Sequence, residues 1–90
     1  MFFVYVLQSE LDGGFYVGMT IDIERRLRQH NRGSQRSTRA RRPLRLVFDE
    51  AYTSRTEARS RERFWKSGQG RELLRGVVAD AGIPKTGRAD

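Results

Sequence analysis

The pattern of hydrophobic positions divides the chain into extended and helical segments. FFVYVLQ, residues 2–8, is continuously apolar and rich in aromatic and β-branched residues, which predicts a buried central strand. LDGG, residues 11–14, predicts a turn, because Asp-Gly-Gly supplies residues that accept positive φ. FYVG, residues 15–18, follows as a second, short strand. Together the two strands predict an antiparallel hairpin.

A helix is predicted directly after this hairpin. Thr20 is expected to cap it, and Asp22 lies in its first turn, where the helix dipole favours negative charge. Leu27 and His30 continue a stripe at helical spacing, and Gly33 is expected as the glycine that follows the last turn.

The second half of the chain predicts a loop, a strand and two helices. Residues 34–42 are polar without a period and predict a loop, and LRLVFDEAY, residues 44–52, predicts a third strand. Ser54 opens an S-x-x-E capping box, so a second helix is expected to begin there and to end near Lys66. A stripe of leucines and valines predicts a third helix over about residues 70–81.

The 90 residues suffice for one domain with one modest core. The order ββαβαα predicts an α+β fold, a small three-stranded antiparallel sheet flanked by helices. This single domain is expected over residues 1–82, with a flexible tail over residues 83–90. The chain has no apolar run of about 20 residues and no recognisable signal peptide, so we expect a cytoplasmic protein without a membrane partner.

The charge of the chain indicates what kind of partner it binds. The net charge is +7, and the chain has sixteen arginines but only two lysines. Arginine presents a planar fork that matches phosphate, so a polyanion, nucleic acid above all, is the indicated partner. A basic surface that only keeps the protein soluble is the alternative. The absence of cysteine excludes disulfides, zinc–thiolate sites and cysteine nucleophiles.

Four side chains stand where packing alone does not require them. Tyr5 interrupts an aliphatic strand, and Tyr16 lies on the next strand. Arg26 flanks the apolar stripe of the first helix, and Glu62 falls on the face that the second helix should bury. Each has an ordinary interpretation as well: an amphipathic core tyrosine, a solvated arginine, or an i,i+4 ion pair between Glu62 and Lys66.

The spacing of these residues resembles the GIY-YIG nuclease family. Tyr5 in VYV and Tyr16 in YVG stand in its two triplets, and Arg26 and His30 match its first helix. TEARSRERFWK is similar to the helix that carries the family's metal-binding glutamate, which falls on Glu62. The resemblance covers about residues 2–75, and the compact length is similar to the stand-alone single-domain branch.

Two departures accompany the resemblance. The first triplet is VYV rather than GIY, and Met19 stands where some relatives have a lysine. Gly18, the glycine of the second triplet, is expected to clear space for the substrate.

The resemblance implies a divalent-metal-dependent endonuclease that hydrolyses phosphodiester bonds, in DNA rather than RNA, for repair or for processing of structured DNA. Glu62 would hold one Mg²⁺ or Mn²⁺, and Arg26 would clamp a phosphate oxygen. Tyr5 or Tyr16 would act as general base or orient the water, and as a base its pKa would have to be lowered by the metal and Arg26. His30 would tune a tyrosine or contact phosphate. No small-molecule cofactor is implied, and a non-catalytic nucleic-acid-binding module with the same fold is the alternative.

Five arginines fall within the ten residues RSTRARRPLR, which we call the arginine loop. Beside a catalytic site they would hold the nucleic-acid backbone on both sides of the scissile bond. A solvated, mobile run of charge is the alternative. These residues are Arg36, Arg39, Arg41, Arg42 and Arg45.

Overall fold

A computed structural model describes residues 1–81, with side chains to residue 78, so the predicted tail lies outside the described residues. The elements are β1 (Phe2–Ser9), β2 (Phe15–Thr20), α1 (Ile23–Asn31), a 3-10 turn (Arg39–Arg41), β3 (Leu44–Tyr52), α2 (Arg55–Lys66) and α3 (Gly68–Ala81). The predicted α+β class and the order ββαβαα are confirmed. None of the helices in the described part has the length and apolar composition that crossing a bilayer requires.

The three strands form one antiparallel sheet in the order β2-β1-β3, so the continuously apolar strand is central, as predicted. Both faces of β1 are covered. Val4 and Val6 belong to a core cluster that includes Trp65 of α2. On the opposite face, Tyr5 and Leu7 pack in a second cluster that includes residues of α1. Burial on both faces explains why this strand lacks the alternation of a half-exposed one.

The start of α1 differs from the prediction. Asp22 caps the helix, since its carboxylate accepts the backbone N–H of Arg25 at 3.1 Å. Thr20 is still part of β2, where it pairs with Phe3, so its backbone is extended and its predicted capping role is wrong. Its hydroxyl instead accepts the N–H of Asp22 at 3.2 Å and so shapes the bend between strand and helix.

The end of α1 follows the prediction. Gly33 adopts a φ of +86°, which residues other than glycine rarely accept. Its N–H donates to the carbonyl of His30 at 3.1 Å, and the N–H of Ser34 donates to the carbonyl of Gln29 at 3.0 Å. This pair of bonds is a Schellman motif, which ends the helix and turns the chain into the arginine loop.

The arginine loop is anchored to the sheet rather than free. Thr38 is fully buried, and a short 3-10 turn follows it. The hydroxyl of Ser9, at the end of β1, donates to the carbonyl of Arg41 at 2.6 Å. The segment predicted as an irregular loop is therefore packed against the hairpin end of β1.

Helix α2 is positioned by its cap and by β3. Ser54 accepts the backbone N–H of Glu57 at 3.3 Å, which confirms the predicted start. Glu50 of β3 accepts hydrogen bonds from Arg61, at 2.9 and 3.2 Å, and from the indole of Trp65 at 3.0 Å. These bonds hold one side of α2 on the sheet and set the direction in which its other side chains point.

Helix α3 begins two residues earlier than predicted, at Gly68, and packs closely on the end of α2. A Cβ atom at Gly70 would overlap the backbone of Phe64 and Trp65. Glycine therefore permits the close approach of the two helices.

Candidate active site

A cavity of about 490 Å³ opens where the β1–β2 hairpin, α1 and α2 meet. Four of the five residues predicted to be catalytic line it, and the fifth, His30, lies behind them. The polar lining consists of Tyr5, Tyr16, Thr20, Arg26, Arg55, Arg59 and Glu62, and the rest of Phe2, Gly18, Met19 and Ile21.

Tyr5 projects from the central strand and is almost fully buried, with 1% of its surface exposed. Its hydroxyl lies 3.0 Å from Nε2 of His30, and Nε of Arg26 donates to it at 3.4 Å. Gly18 is opposite Tyr5 on β2, and a Cβ atom there would lie 2.5 Å from the Tyr5 hydroxyl. The space that a Cβ atom would fill is thus taken by the phenol of Tyr5, while Gly18 also lines the cavity, so its expected role in clearing space for the substrate stays a prediction.

The acidity of Tyr5 differs from the expectation. Burial raises the pKa of Tyr5, and the hydrogen bond from Arg26 offsets this only in part. Arg26 lowers the pKa of Tyr5 as expected, but burial outweighs it, and the expected lowering by a bound metal ion stays a prediction. The phenol is neutral at ordinary pH and is held in one place by His30 and Arg26.

His30, on α1, is fully buried between the tyrosines of the hairpin and the arginine loop. Its Nδ1 lies 2.7 Å from the hydroxyl of Thr38, and its ring contacts Tyr16 edge-on at a centroid distance of 4.9 Å. Burial, together with the charge of Arg26, lowers the pKa of His30 to about 4, so the imidazole is neutral near pH 7. Of its two expected roles, the geometry favours tuning a tyrosine, because the buried ring contacts Tyr5 and Tyr16 and does not line the cavity.

Glu62 is buried on α2, and its side chain is 9% exposed. One carboxylate oxygen lies 3.3 Å from Arg59 and the other 3.1 Å from Lys66. The i,i+4 ion pair raised as an alternative is therefore present, and the same carboxylate also lines the cavity.

The donor set of the cavity bears on metal binding. Within residues 1–81 no cluster of three or more acidic, histidine or cysteine side chains could enclose an ion. Glu62 is the single carboxylate in the cavity wall. One carboxylate oxygen donor, with the remaining ligands from substrate phosphate and water, is a common way for proteins to hold Mg²⁺. The residues present fit a divalent cation in that mode.

The walls of the cavity are basic. Arg26 from α1 and Arg55 and Arg59 from α2 line it against the one carboxylate of Glu62. Such a wall attracts anions, and guanidinium groups suit phosphate oxygens. Sequence reasoning missed Arg55 and Arg59. Their spacing to Glu62, seven and three residues along one helix, was the signal that could have found them.

The arginine loop supports the site without lining it. None of its five arginines is among the residues that line the cavity. Arg41 pairs with Asp12 of the hairpin turn at 3.5 Å, and Arg45 donates to Gln8 at 3.1 Å. The loop's contact with the site is made by Thr38, through His30, which sequence reasoning also missed.

Comparison with known proteins identifies the family. The sequence model of the GIY-YIG catalytic domain family matches residues 1–74 of this chain. The chain belongs to the GIY-YIG family. The family resemblance given by the spacing of the tyrosines, the arginine and the glutamate is thereby confirmed, and with it membership of a nuclease family.

Relatives and a solved structure agree with this assignment. The chain is 43% identical over 65 residues to a UPF0213 protein of Streptococcus agalactiae, covering 71% of this chain and 73% of that one. It is 41% identical over 61 residues to a UPF0213 protein of Staphylococcus aureus, covering 67% and 73%. A solution structure of a UPF0213 protein from Bacillus halodurans superposes with a TM-score of 0.56 at 32% identity, covering 98% of this chain and 100% of that one.

Proposed function

We propose that this GIY-YIG domain is a divalent-metal-dependent endonuclease that cleaves DNA in the cavity between the hairpin, α1 and α2. The observation that carries the proposal is the convergence of Tyr5, Tyr16, Arg26 and Glu62, which come from four different elements, on one basic cavity. Structured DNA, in repair or processing, is the substrate class that we propose.

Arg26 would bind a non-bridging phosphate oxygen. Its Nε is directed at Tyr5, at 3.4 Å, and one terminal nitrogen at Gln29, at 3.3 Å. These two bonds leave the other N–H groups of the fork for the phosphate and hold the side chain in place before the substrate arrives. A preorganised cation acts on the charge that develops in the transition state, so its removal is costly.

Glu62 would be the protein ligand of one Mg²⁺ or Mn²⁺. When bound, the metal supplies charge neutralisation at the phosphate and at the leaving oxygen. Metal binding at Glu62 competes with Arg59 and Lys66, which hold its two oxygens. Release of Arg59 from the carboxylate would leave its guanidinium free for the same phosphate-bearing strand.

We assign activation of the attacking water to Tyr16 and positioning to Tyr5. Tyr16 is only partly buried and lines the cavity, and no hydrogen bond to its hydroxyl occurs among the described residues. The hydroxyl of Tyr5, by contrast, is already bonded to His30 and Arg26, and burial raises its pKa. Tyr5 and neutral His30 would then orient the Tyr16 ring, which His30 contacts on its edge.

A non-catalytic nucleic-acid-binding module is the second candidate. The observation that favours it is the pairing of Glu62 with Arg59 and Lys66, which accounts for the buried carboxylate without a metal. The two candidates differ in whether bound DNA is cut.

The experiment incubates the protein with single-stranded, duplex and branched DNA and RNA, in Mg²⁺, in Mn²⁺ or in excess chelator. We expect cleavage of DNA with metal and none in chelator. Arg26→Ala should stay folded and lose activity by about a hundredfold, as when one preorganised donor to a developing anion is removed. Full activity in chelator or in Arg26→Ala would refute the mechanism, and binding without any cleavage would favour the second candidate.

Two glutamates of α2 provide a matched pair. Glu62→Gln should abolish metal-dependent cleavage and leave DNA binding intact, with stability changed by about 1 kcal/mol or less, since the cations that it pairs with are half exposed. Glu57→Gln makes the same charge change on an exposed side chain at the start of the helix. It should cleave like the unmodified protein. Loss of cleavage in Glu57→Gln but not in Glu62→Gln would show that Glu62 is not the metal ligand.

A further inference from the structure

Helix α2 carries a row of arginines on the side that faces the cavity. Arg55, Arg59 and Arg63 recur at every fourth residue and are all exposed. An α-helix rises about 1.5 Å per residue, so neighbours in the row are about 6 Å apart along the axis. That interval is comparable with the separation of successive phosphates in one nucleic-acid strand. We call these three residues the arginine row.

The arginine row continues from the candidate active site into a second cavity. Arg55 and Arg59 line the main cavity. All three arginines, with Thr56, line an adjoining cavity of about 210 Å³. The two cavities share two arginine side chains, and the second, which Glu62 does not line, extends this basic trough beyond the candidate active site.

The charges of the arginine row are mostly uncompensated. Arg61, on another side of α2, pairs with Glu50 at 2.9 Å. In the part of the chain that the structure describes, Arg55 and Arg63 have no carboxylate within ion-pair distance, and the partner of Arg59 is Glu62 itself. Like charges four residues apart on a helix repel. A polyanion lying along the row would relieve this repulsion.

The opposite side of the main cavity is less basic. A further cavity of about 210 Å³ adjoins it there and shares Arg26 with it. This cavity adds one more arginine, Arg25, but also the carboxylate of Asp22. The trough is therefore asymmetric, and its strongly basic arm is the one along α2.

We propose that the arginine row binds successive phosphates of one substrate strand, on one side of the bond that is cut. This inference rests on the proposed nuclease function and adds the path of the substrate to it. Guanidinium forks on the backbone fix the position of a strand but do not read its bases, so the row would confer no sequence preference. We thus assign most contacts with the nucleic-acid backbone to α2 and not to the arginine loop.

The test measures DNA affinity as a function of salt in the presence of chelator, so that no cleavage occurs. Arg55→Gln combined with Arg63→Gln removes two phosphate contacts and keeps good helix formers. The slope of log affinity against log salt should become shallower by about 1.8 units on duplex and about 1.4 units on single strands. The matched control, Arg28→Gln with Arg75→Gln, removes the same charge from exposed residues that line none of the three cavities, and its slope should stay near that of the unmodified protein.

A second measurement tests the direction of the path. Substrates are shortened on one side or the other of the cleavage position. The unmodified protein should lose more affinity when one particular side is removed, and the double variant should no longer distinguish the two sides. If the double variant is poorly folded by circular dichroism, Arg63→Gln alone carries the test with about half the change in slope.

The outcomes separate this inference from the nuclease proposal. If the unmodified protein binds and cleaves DNA while the α2 variant keeps the slope of the control, the arginine row is not the binding surface and the nuclease function stands. A reduced slope confined to Arg36→Gln with Arg45→Gln would likewise overturn the inference in favour of the arginine loop. If the unmodified protein neither binds nor cleaves any substrate, the proposed function itself fails.

Discussion

Tyr5 is the side chain on which most of the candidate site converges. It lies against Gly18, accepts a hydrogen bond from Arg26 and contacts His30, which in turn contacts Thr38. Because these side chains are buried and closely packed, a displacement of one of them also displaces the phenol.

A substitution at Gly18 tests how tightly Tyr5 is held, and a substitution at Gly76 is its control. Gly18→Ala would place a Cβ atom 2.5 Å from the Tyr5 hydroxyl, so the ring must move. We expect it to cost about 1–3 kcal/mol of stability and to reduce cleavage. Gly76→Ala, in α3, meets no atom within 4 Å and should gain up to about 1 kcal/mol. Thermal unfolding and cleavage rates are measured for both variants. Unchanged stability and cleavage in Gly18→Ala would mean that Tyr5 is not constrained as described.

The single histidine, His30, predicts how the stability of the protein changes at acidic pH. The pKa of His30 is about 4 in the folded protein, below its ordinary value of 6.5, so the unfolded chain binds the proton more readily. Stability from this residue is therefore present above about pH 6.5 and is lost as the pH falls toward 4. The thermal midpoint should fall between pH 7 and pH 5, and that of His30→Gln should fall less over this window. Equal slopes in the two proteins would contradict the buried neutral imidazole.

Among the elements, α2 has to be placed most accurately, because it delivers Glu62 and the arginine row to the cavity. Its position depends on Glu50 of β3, which binds Arg61 and Trp65 of α2 and the hydroxyl of Tyr52. Burial raises the pKa of Glu50, but the hydrogen bonds from these three partners outweigh it, so the pKa lies below its ordinary value. The ionised carboxylate thus stabilises the contact between strand and helix above that value, and the contribution is lost as the pH falls below it.

Glu50→Gln should therefore weaken the docking of α2. We expect a loss of about 1.5–3 kcal/mol, the usual value of hydrogen bonds to a charged group, and reduced cleavage even though Glu50 does not line the cavity. Asp49→Asn changes the neighbouring, exposed carboxylate and should alter stability by about 0.5 kcal/mol or less. Chemical denaturation of both variants measures the difference, and equal losses would show that Glu50 does not secure the helix.

Across the chain as a whole, two arginine-rich surfaces with different surroundings contribute to the net charge of +7. The arginine loop packs at the hairpin end of the sheet, where it is tied to Asp12, Gln8 and Ser9. The arginine row borders the candidate active site. Net charge alone favours association with nucleic acid through either surface, but of the two only the arginine row borders the cavity that Glu62 lines.

Local patterns in the sequence predicted the order ββαβαα, the central apolar strand, the glycine that ends α1 and the cap of α2. Such features depend on periodicity, turn residues and capping groups that are neighbours in the chain. They also predicted the face on which Glu62 is buried. The error at the start of α1 is local as well, since Thr20 and Asp22 are both good caps and the pairing of Thr20 with Phe3 decided between them.

Only the tertiary structure decided which side chains of the candidate active site are in contact. It placed the phenol of Tyr5 in the space beside Gly18, bonded buried His30 to Thr38, and put arginines of α2 rather than of the arginine loop around the cavity. The physical reason is that these contacts are made between different elements, even though the shared helix face of Arg55, Arg59 and Glu62 could be read from their spacing. Their geometry, and the pKa values that follow from burial, depend on how the sheet, α1 and α2 pack together, which no local pattern encodes.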